Sequence, residues 1–346
     1  MPPTLSRKTL ISGLRIFLIF TLAGFTLLFY LTGTKETISA LQHFQPLYLL
    51  LAFLLIGMDY CLGAGRIFIF IRKMGNLSDI KYFVASFKAN LANIFMAAVT
   101  PFQTGGGLAQ LYMLHRDSIP VSGALSAGVL NYVATLTFLV FGGLFSFKWL
   151  RETYADFQFQ FIFSFSTIIF YLVAIIAILF LFFPLPIGRI LQKLLAGIGS
   201  LWKKKRNNFI RYSEKILDFI NHYRSHISYF WKNEKPILLL NIGITFLLFF
   251  NKCLVAFVIL KGMGLSPDFT TVIAIQILLI FIIYFCPTPG ASFLAETSAA
   301  ALMSVIIPKH YLPVFSILWR FFLTYFGVII GGVILLKAIS TTGESE

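Results

Sequence analysis

Long apolar runs leave this chain few ways to fold. Runs near residues 14–32, 47–71, 119–147, 159–186, 237–260 and 312–338 each reach the roughly 18–20 residues that an α-helix needs to cross a bilayer core. Inside hydrocarbon, backbone N–H and C=O groups must be bonded within the structure itself, so only helices and closed barrels span, and runs of this length specify helices. The chain is 58% hydrophobic and 12% charged, with a mean hydropathy of +0.86, outside the range of soluble domains. The expected fold is all-α: a polytopic transmembrane helical bundle forming one integral membrane domain over residues 1–346. The first run follows Arg7, Lys8 and Arg15; it is too long for a signal-peptide core and is expected to stay as a spanning helix.

Two further apolar segments, 82–114 and 269–307, are interrupted in the same way. One carries Thr100-Pro101-Phe102-Gln103-Thr104-Gly105-Gly106-Gly107-Leu108-Ala109-Gln110 and the other Thr288-Pro289-Gly290-Ala291-Ser292-Phe293-Leu294-Ala295-Glu296. Each reads Thr-Pro, a turn of small residues, then Leu-Ala and a carboxamide or carboxylate. Proline and clustered glycines break helices, and membranes tolerate broken backbone only where protein or a water-filled cavity satisfies the freed groups. Paired breaks in corresponding positions point to a transport site in an inverted repeat with two re-entrant or broken helix pairs. The simpler alternative makes each apolar stretch a full crossing, with the Pro and Gly as kinks.

Charge sets a topology. Lys and Arg total 28 against 13 Asp and Glu, a net charge of +15, and the cations concentrate between apolar runs. The segment 187–236, with Lys203, Lys204, Lys205, Arg206, Arg211 and Arg224, reads as a basic amphipathic loop on the cytoplasmic side. Arg72, Lys73, Lys81, His115 and Arg116 then fall on the same side, so 82–114 starts and finishes inside. By the same reckoning 269–307 enters and leaves from outside. The basic balance fits the anionic lipids of an inner, cytoplasmic membrane; a nucleic-acid partner is not expected.

Candidate site residues follow from cost. Ionisable groups in apolar segments are expensive and point to function: Asp59, Arg66, Lys88, Lys252, Glu296 and Arg320. Asp59 and Arg66 are two helical turns apart on one face. Either these groups line a cavity, or Arg66 and Arg320 snorkel to an interface and Glu296 offsets the positive first turn of its helix. The breaks add Thr104, Gly105, Gly106, Gly107, Gln110, Pro289, Gly290 and Ser292. Short helices are expected to begin near Leu108 and near Phe293, with N-termini that attract a phosphate. His222 and His226 share a helix face but lack the glutamate of a zinc-protease helix, and Cys61, Cys253 and Cys286 show no paired spacing. No metal or cofactor is expected.

Thr100-Pro101-Phe102-Gln103-Thr104-Gly105-Gly106-Gly107, Pro287-Thr288-Pro289-Gly290 with Glu296 following, and Leu318-Trp319-Arg320 before an apolar last span resemble the lysylphosphatidylglycerol synthase transmembrane-region family, over about residues 10–338. Members with a full synthase join this membrane part to a cytoplasmic aminoacyl-transferase domain; the membrane part is thought to move lipids between leaflets. The resemblance therefore implies a flippase-like protein without lysyl transfer, as this chain ends at Glu346. Ala291-Ser292-Phe293 and Gln110 depart from the family's usual glycines and acidic residue, which implies either a different lipid or weaker function at that half-site. The expected function is lipid transport, moving an anionic phospholipid or lipid-linked intermediate between leaflets. The alternatives are a membrane component of lipid modification and a partner that recruits a separately encoded lipid- or glycan-modifying enzyme through the basic loop. No nucleophile is recognisable, so enzymatic activity is not expected.

Overall fold

Proline at the first turn begins several of the long helices, because its missing N–H would have had no helical partner there: Pro46, Pro236 and Pro313 all sit in this position. The computed structural model describes residues 7–34, 36–37, 42, 44–73, 78–154, 175 and 228–343. The run at 159–186 apart from residue 175, the basic cluster at 203–224, His222 and His226 lie outside the described residues.

The helices, in chain order, are α1 (Arg7–Thr32), α2 (Pro46–Ile71), α3 (Asp79–Val99), α4 (Gly105–Arg116), α5 (Val121–Thr153), α6 (Lys235–Gly262), α7 (Phe269–Tyr284), α8 (Leu294–Met303), α9 (Leu312–Arg320) and α10 (Phe326–Gly343). Among the described residues, six stretches are long and apolar enough to cross a membrane: α1, α2, α3, α5, α6 and the train Lys309–Ser340, which contains α9 and most of α10. A π-helical turn, Phe321–Tyr325, joins α9 to α10. No strand occurs among the described residues, and the chain is an all-α polytopic bundle.

Both interrupted segments are hairpins. After a single turn of 3₁₀ helix at Pro101–Gln103, α4 runs back along α3, and the Asn93 amide donates to Gln110 Oε1 at 3.1 Å across the pair. After the equivalent turn at Pro289–Ala291, α8 runs back along α7, bringing Gln276 Nε2 to 3.8 Å from Met303 Sδ. Asp268 caps α7, accepting from the Thr271 N–H at 2.7 Å.

The hairpins enter from opposite ends of the bundle. At one end Lys73 pairs with Glu234 at 3.5 Å, Arg72 approaches Asp79 at 3.9 Å, and Arg116 donates to the Ala338 carbonyl. At the other end the Gln45 N–H donates to Gly262 O at 2.9 Å, Thr37 Oγ1 donates to His310 O at 3.0 Å, and Trp149 Nε1 donates to Thr271 Oγ1 at 3.3 Å. The α3–α4 hairpin therefore opens at the end carrying Arg72, Lys73 and Arg116, and the α7–α8 hairpin at the end carrying Lys261 and Lys309. The core divides accordingly. One apolar cluster centres on α6 to α9 and another on α3 to α5 with α10.

Candidate functional site

The two turns have nearly the same backbone. Thr100 (φ −121°, ψ 144°) and Thr288 (φ −82°, ψ 149°) are extended, each is followed by proline, and each proline precedes a left-handed residue. Phe102 and Gln103 have φ of 52° and 56°, and Gly290 and Ala291 have φ of 59° and 53°. Left-handed backbone costs an L-residue about 1–2 kcal/mol, so Phe102, Gln103 and Ala291 hold it only because the surroundings impose it, while Gly290 adopts it freely. Thr100 Oγ1 helps to do so, donating to Met96 O at 2.7 Å and accepting from the Gly105 N–H at 2.9 Å. Thr288 Oγ1 donates to Ser292 O at 3.0 Å.

The turns also touch. The Gln103 amide donates to Ile283 O near the end of α7 at 3.2 Å, a carbonyl that also accepts from the Cys286 N–H at 3.3 Å. Ala98 O lies only 2.9 Å from where a Cβ on Gly290 would sit. Each break is thus in contact with the other.

Around the second turn lies a closed ionic cluster. Arg320 and Glu296 are 2% and 0% exposed and pair through Nε and Oε1 at 2.8 Å. Arg320 also donates to the Gly290 carbonyl at 3.1 Å and to Thr324 Oγ1 at 3.2 Å, and Tyr325 donates to Glu296 Oε1 at 3.4 Å. From α1, Thr21 donates to Ser292 Oγ at 3.0 Å. Arg320 fixes the turn by holding the carbonyl of its left-handed glycine. A second pair, Lys252 with Asp59 at 2.8 Å, joins α6 to α2, where Asn251 also donates to Leu55 O at 2.8 Å.

The first turn borders a cavity of about 840 Å³. Phe102, Gln103 and Thr104 line it from the first break, Tyr284 and Phe285 from the residues just before the second, and Arg66 from α2. Arg66 is 8% exposed. One of its terminal nitrogens donates to the Asn131 carbonyl and to Thr135 Oγ1, the latter at 2.9 Å, while its buried Nε and the Asn131 Oδ1 lack partners. Asp59 and Glu296, the carboxylates of the two buried pairs, are engaged by Lys252 and Arg320, whereas Arg66 has no carboxylate partner among the described residues. A buried charge without a carboxylate at ion-pair distance is costly, and here it faces space large enough for a small-molecule group.

Of the residues singled out by sequence, Arg66, Thr104, Gly107 and Gln110 meet at this cavity. Asp59, Lys252, Glu296 and Arg320 form the two buried pairs instead. Pro289, Gly290 and Ser292 are buried within the second turn. Lys88 is exposed on the outer face of α3, one turn from the exposed Val84, and does not line the cavity. Two expectations need correcting. The glycines do not precede their helix: α4 begins at Gly105, because Thr100 Oγ1 takes up its first N–H and no earlier cap is needed. Gly105 and Gly106 are buried against Thr100 and Asn93, and only Gly107 faces open space. The second short helix does begin near Phe293, which caps it with φ 73° while α8 starts at Leu294. Arg66 and Arg320 do not snorkel, as both are buried. The cavity also gathers Tyr132 and Thr135, which sequence reasoning passed over; the i, i+4 placement of Asn131 and Thr135 in an apolar run was the available signal.

Two helical hairpins inserted from opposite ends, meeting at matched breaks beside a cavity, define a polytopic membrane protein with an inverted-repeat architecture. The chain matches the lysylphosphatidylglycerol synthase TM region family over residues 11–331 and belongs to it. It is also similar to a UPF0104 membrane protein of Archaeoglobus fulgidus, at 23% identity over 319 residues, 91% of this chain and 94% of the relative.

Proposed function

We propose that this protein moves an anionic lipid between leaflets, with the head group passing through the cavity at the two breaks while the tails remain in the bilayer. The observation that carries this reading is Arg66: a buried cation without a carboxylate partner among the described residues, lining an 840 Å³ cavity. Moving a phosphate through hydrocarbon is prohibitive, and a fixed cation with bonded amides around it replaces much of the lost hydration. The cations Arg72, Lys73 and Arg116 support a cytoplasmic orientation for the end that bears them, as in a cytoplasmic membrane with an anionic inner leaflet.

The test is movement of fluorescent anionic and zwitterionic lipids in proteoliposomes. Wild type and Lys81→Gln, which removes an exposed cation of α3, should move anionic lipid at the same rate, and Arg66→Gln should lose most of it. Rates equal to empty liposomes for wild type across the panel would overturn the proposal.

A further inference from the structure

We infer that the cavity takes a phosphodiester lipid whose head group carries hydroxyls and no ammonium, such as a polyol or sugar head, and discriminates against aminoacylated or amine-bearing lipids. This rests on the lipid-carrying reading above and names the lipid class.

The argument is charge and donor chemistry. Arg66 gives the cavity one positive charge, and no Asp or Glu is among its described lining residues. The carboxylates of the neighbouring buried pairs each hold a cation, Asp59 holding Lys252 and Glu296 holding Arg320, both at 2.8 Å, and neither lines the cavity. Gln110 occupies, in the first copy, the place that Glu296 takes in the second, and it is bonded to Asn93 rather than to a cation. One phosphate charge is therefore matched, whereas an ammonium brought in with it would sit buried beside a cation with nothing to neutralise it. The remaining polar lining is amides and hydroxyls, among them Gln103, Gln110, Thr104, Tyr132 and Tyr284. These both donate and accept, as hydroxyl groups require. The rings of Tyr132 and Tyr284, with centroids 6.3 Å apart, add an aromatic wall.

The experiment is displacement of tail-labelled phosphatidylglycerol from the detergent-solubilised full chain by unlabelled phosphatidylglycerol, lysylphosphatidylglycerol, phosphatidylethanolamine and water-soluble glycerophosphoglycerol. Phosphatidylglycerol should compete at least about tenfold better than either amine-bearing lipid, and Gln110→Glu should narrow that gap by admitting the ammonium. Equal competition by lysylphosphatidylglycerol overturns the inference whether or not the protein moves lipid. Equal competition by glycerophosphoglycerol overturns a lipid as the ligand. Saturable binding with the expected preference, but no movement in proteoliposomes, removes the transport reading and supports the inference as a binding site. No saturable binding of phosphatidylglycerol overturns both.

Discussion

Phe102 and Gly290, 188 positions apart by their numbers, share one backbone conformation, φ 52°, ψ 20° and φ 59°, ψ 18°. Each is the second residue after an extended threonine. One side chain is 57% exposed and lines the cavity; the other position has none, because a Cβ there would lie 2.6 Å from the Phe17 ring and 2.9 Å from Ala98 O. The repeat has thus kept the turn and differentiated its halves, one opening on a cavity and one packed shut by α1.

Gly290→Ala should therefore be costly. The left-handed penalty of about 1–2 kcal/mol adds to the overlap with Phe17 and Ala98, giving an expected loss of about 2 kcal/mol or more. Thermal unfolding in mild detergent should show a marked drop. Phe102→Gly should leave the midpoint near wild type, since relief of strain and added chain entropy oppose each other.

The buried arginines should respond in opposite senses. Arg320→Ala strands Glu296 in a site with 0% exposure, and breaking a buried pair costs about 3–5 kcal/mol. The Glu296→Ala/Arg320→Ala double variant should be less destabilised than the sum of its singles. Arg66→Gln strands no carboxylate and removes a buried charge, so stability should be unchanged or higher while anionic-lipid binding falls at least about tenfold. A loss of stability comparable to Arg320→Ala would show Arg66 to be structural.

The spans and the two breaks were legible because apolar length and the Thr-Pro signature are local properties of the chain. The roles of the ionisable residues were not, because partnership is a tertiary fact. Asp59 and Arg66 share a helix face but lie two turns apart along the axis, so one meets Lys252 on α6 and the other the cavity. The separation of Arg320 from Glu296 by 24 positions carries no sign that they form a pair. Lys88 looked like Arg66 in sequence, and only helix orientation puts it outside.

Adjacent glycines should separate packing from function. At Gly106 a Cβ would fall 2.6 Å from Asn93 Oδ1, so Gly106→Ala should displace the Asn93–Gln110 bond and cost about 1–3 kcal/mol. Gly107 has nothing within 4 Å of that position, and Gly107→Ala should stabilise α4 by up to about 1 kcal/mol. The added methyl faces the cavity, so lipid binding should weaken as the unfolding midpoint rises. Parallel loss of both properties in Gly107→Ala would place that residue in the packing.

The hairpin geometry makes a prediction that a chain of full crossings does not share. If α3 spanned the bilayer completely, Asp79 and Asp117 would lie on opposite faces. In the hairpin, α4 returns to the end where Arg116 meets Ala338 O and Arg72 approaches Asp79, so both belong to one face. Single cysteines at Asp79 and Asp117 should react with a membrane-impermeant thiol reagent from the same side, and cysteines at Asp268 and Pro308 from the other. Cys61, the exposed native cysteine, is replaced by Ser in this background, while Cys253 and Cys286 are buried. Labelling of Asp79→Cys and Asp117→Cys from opposite faces would remove the re-entrant hairpin, and with it the meeting of the two breaks on which the cavity depends.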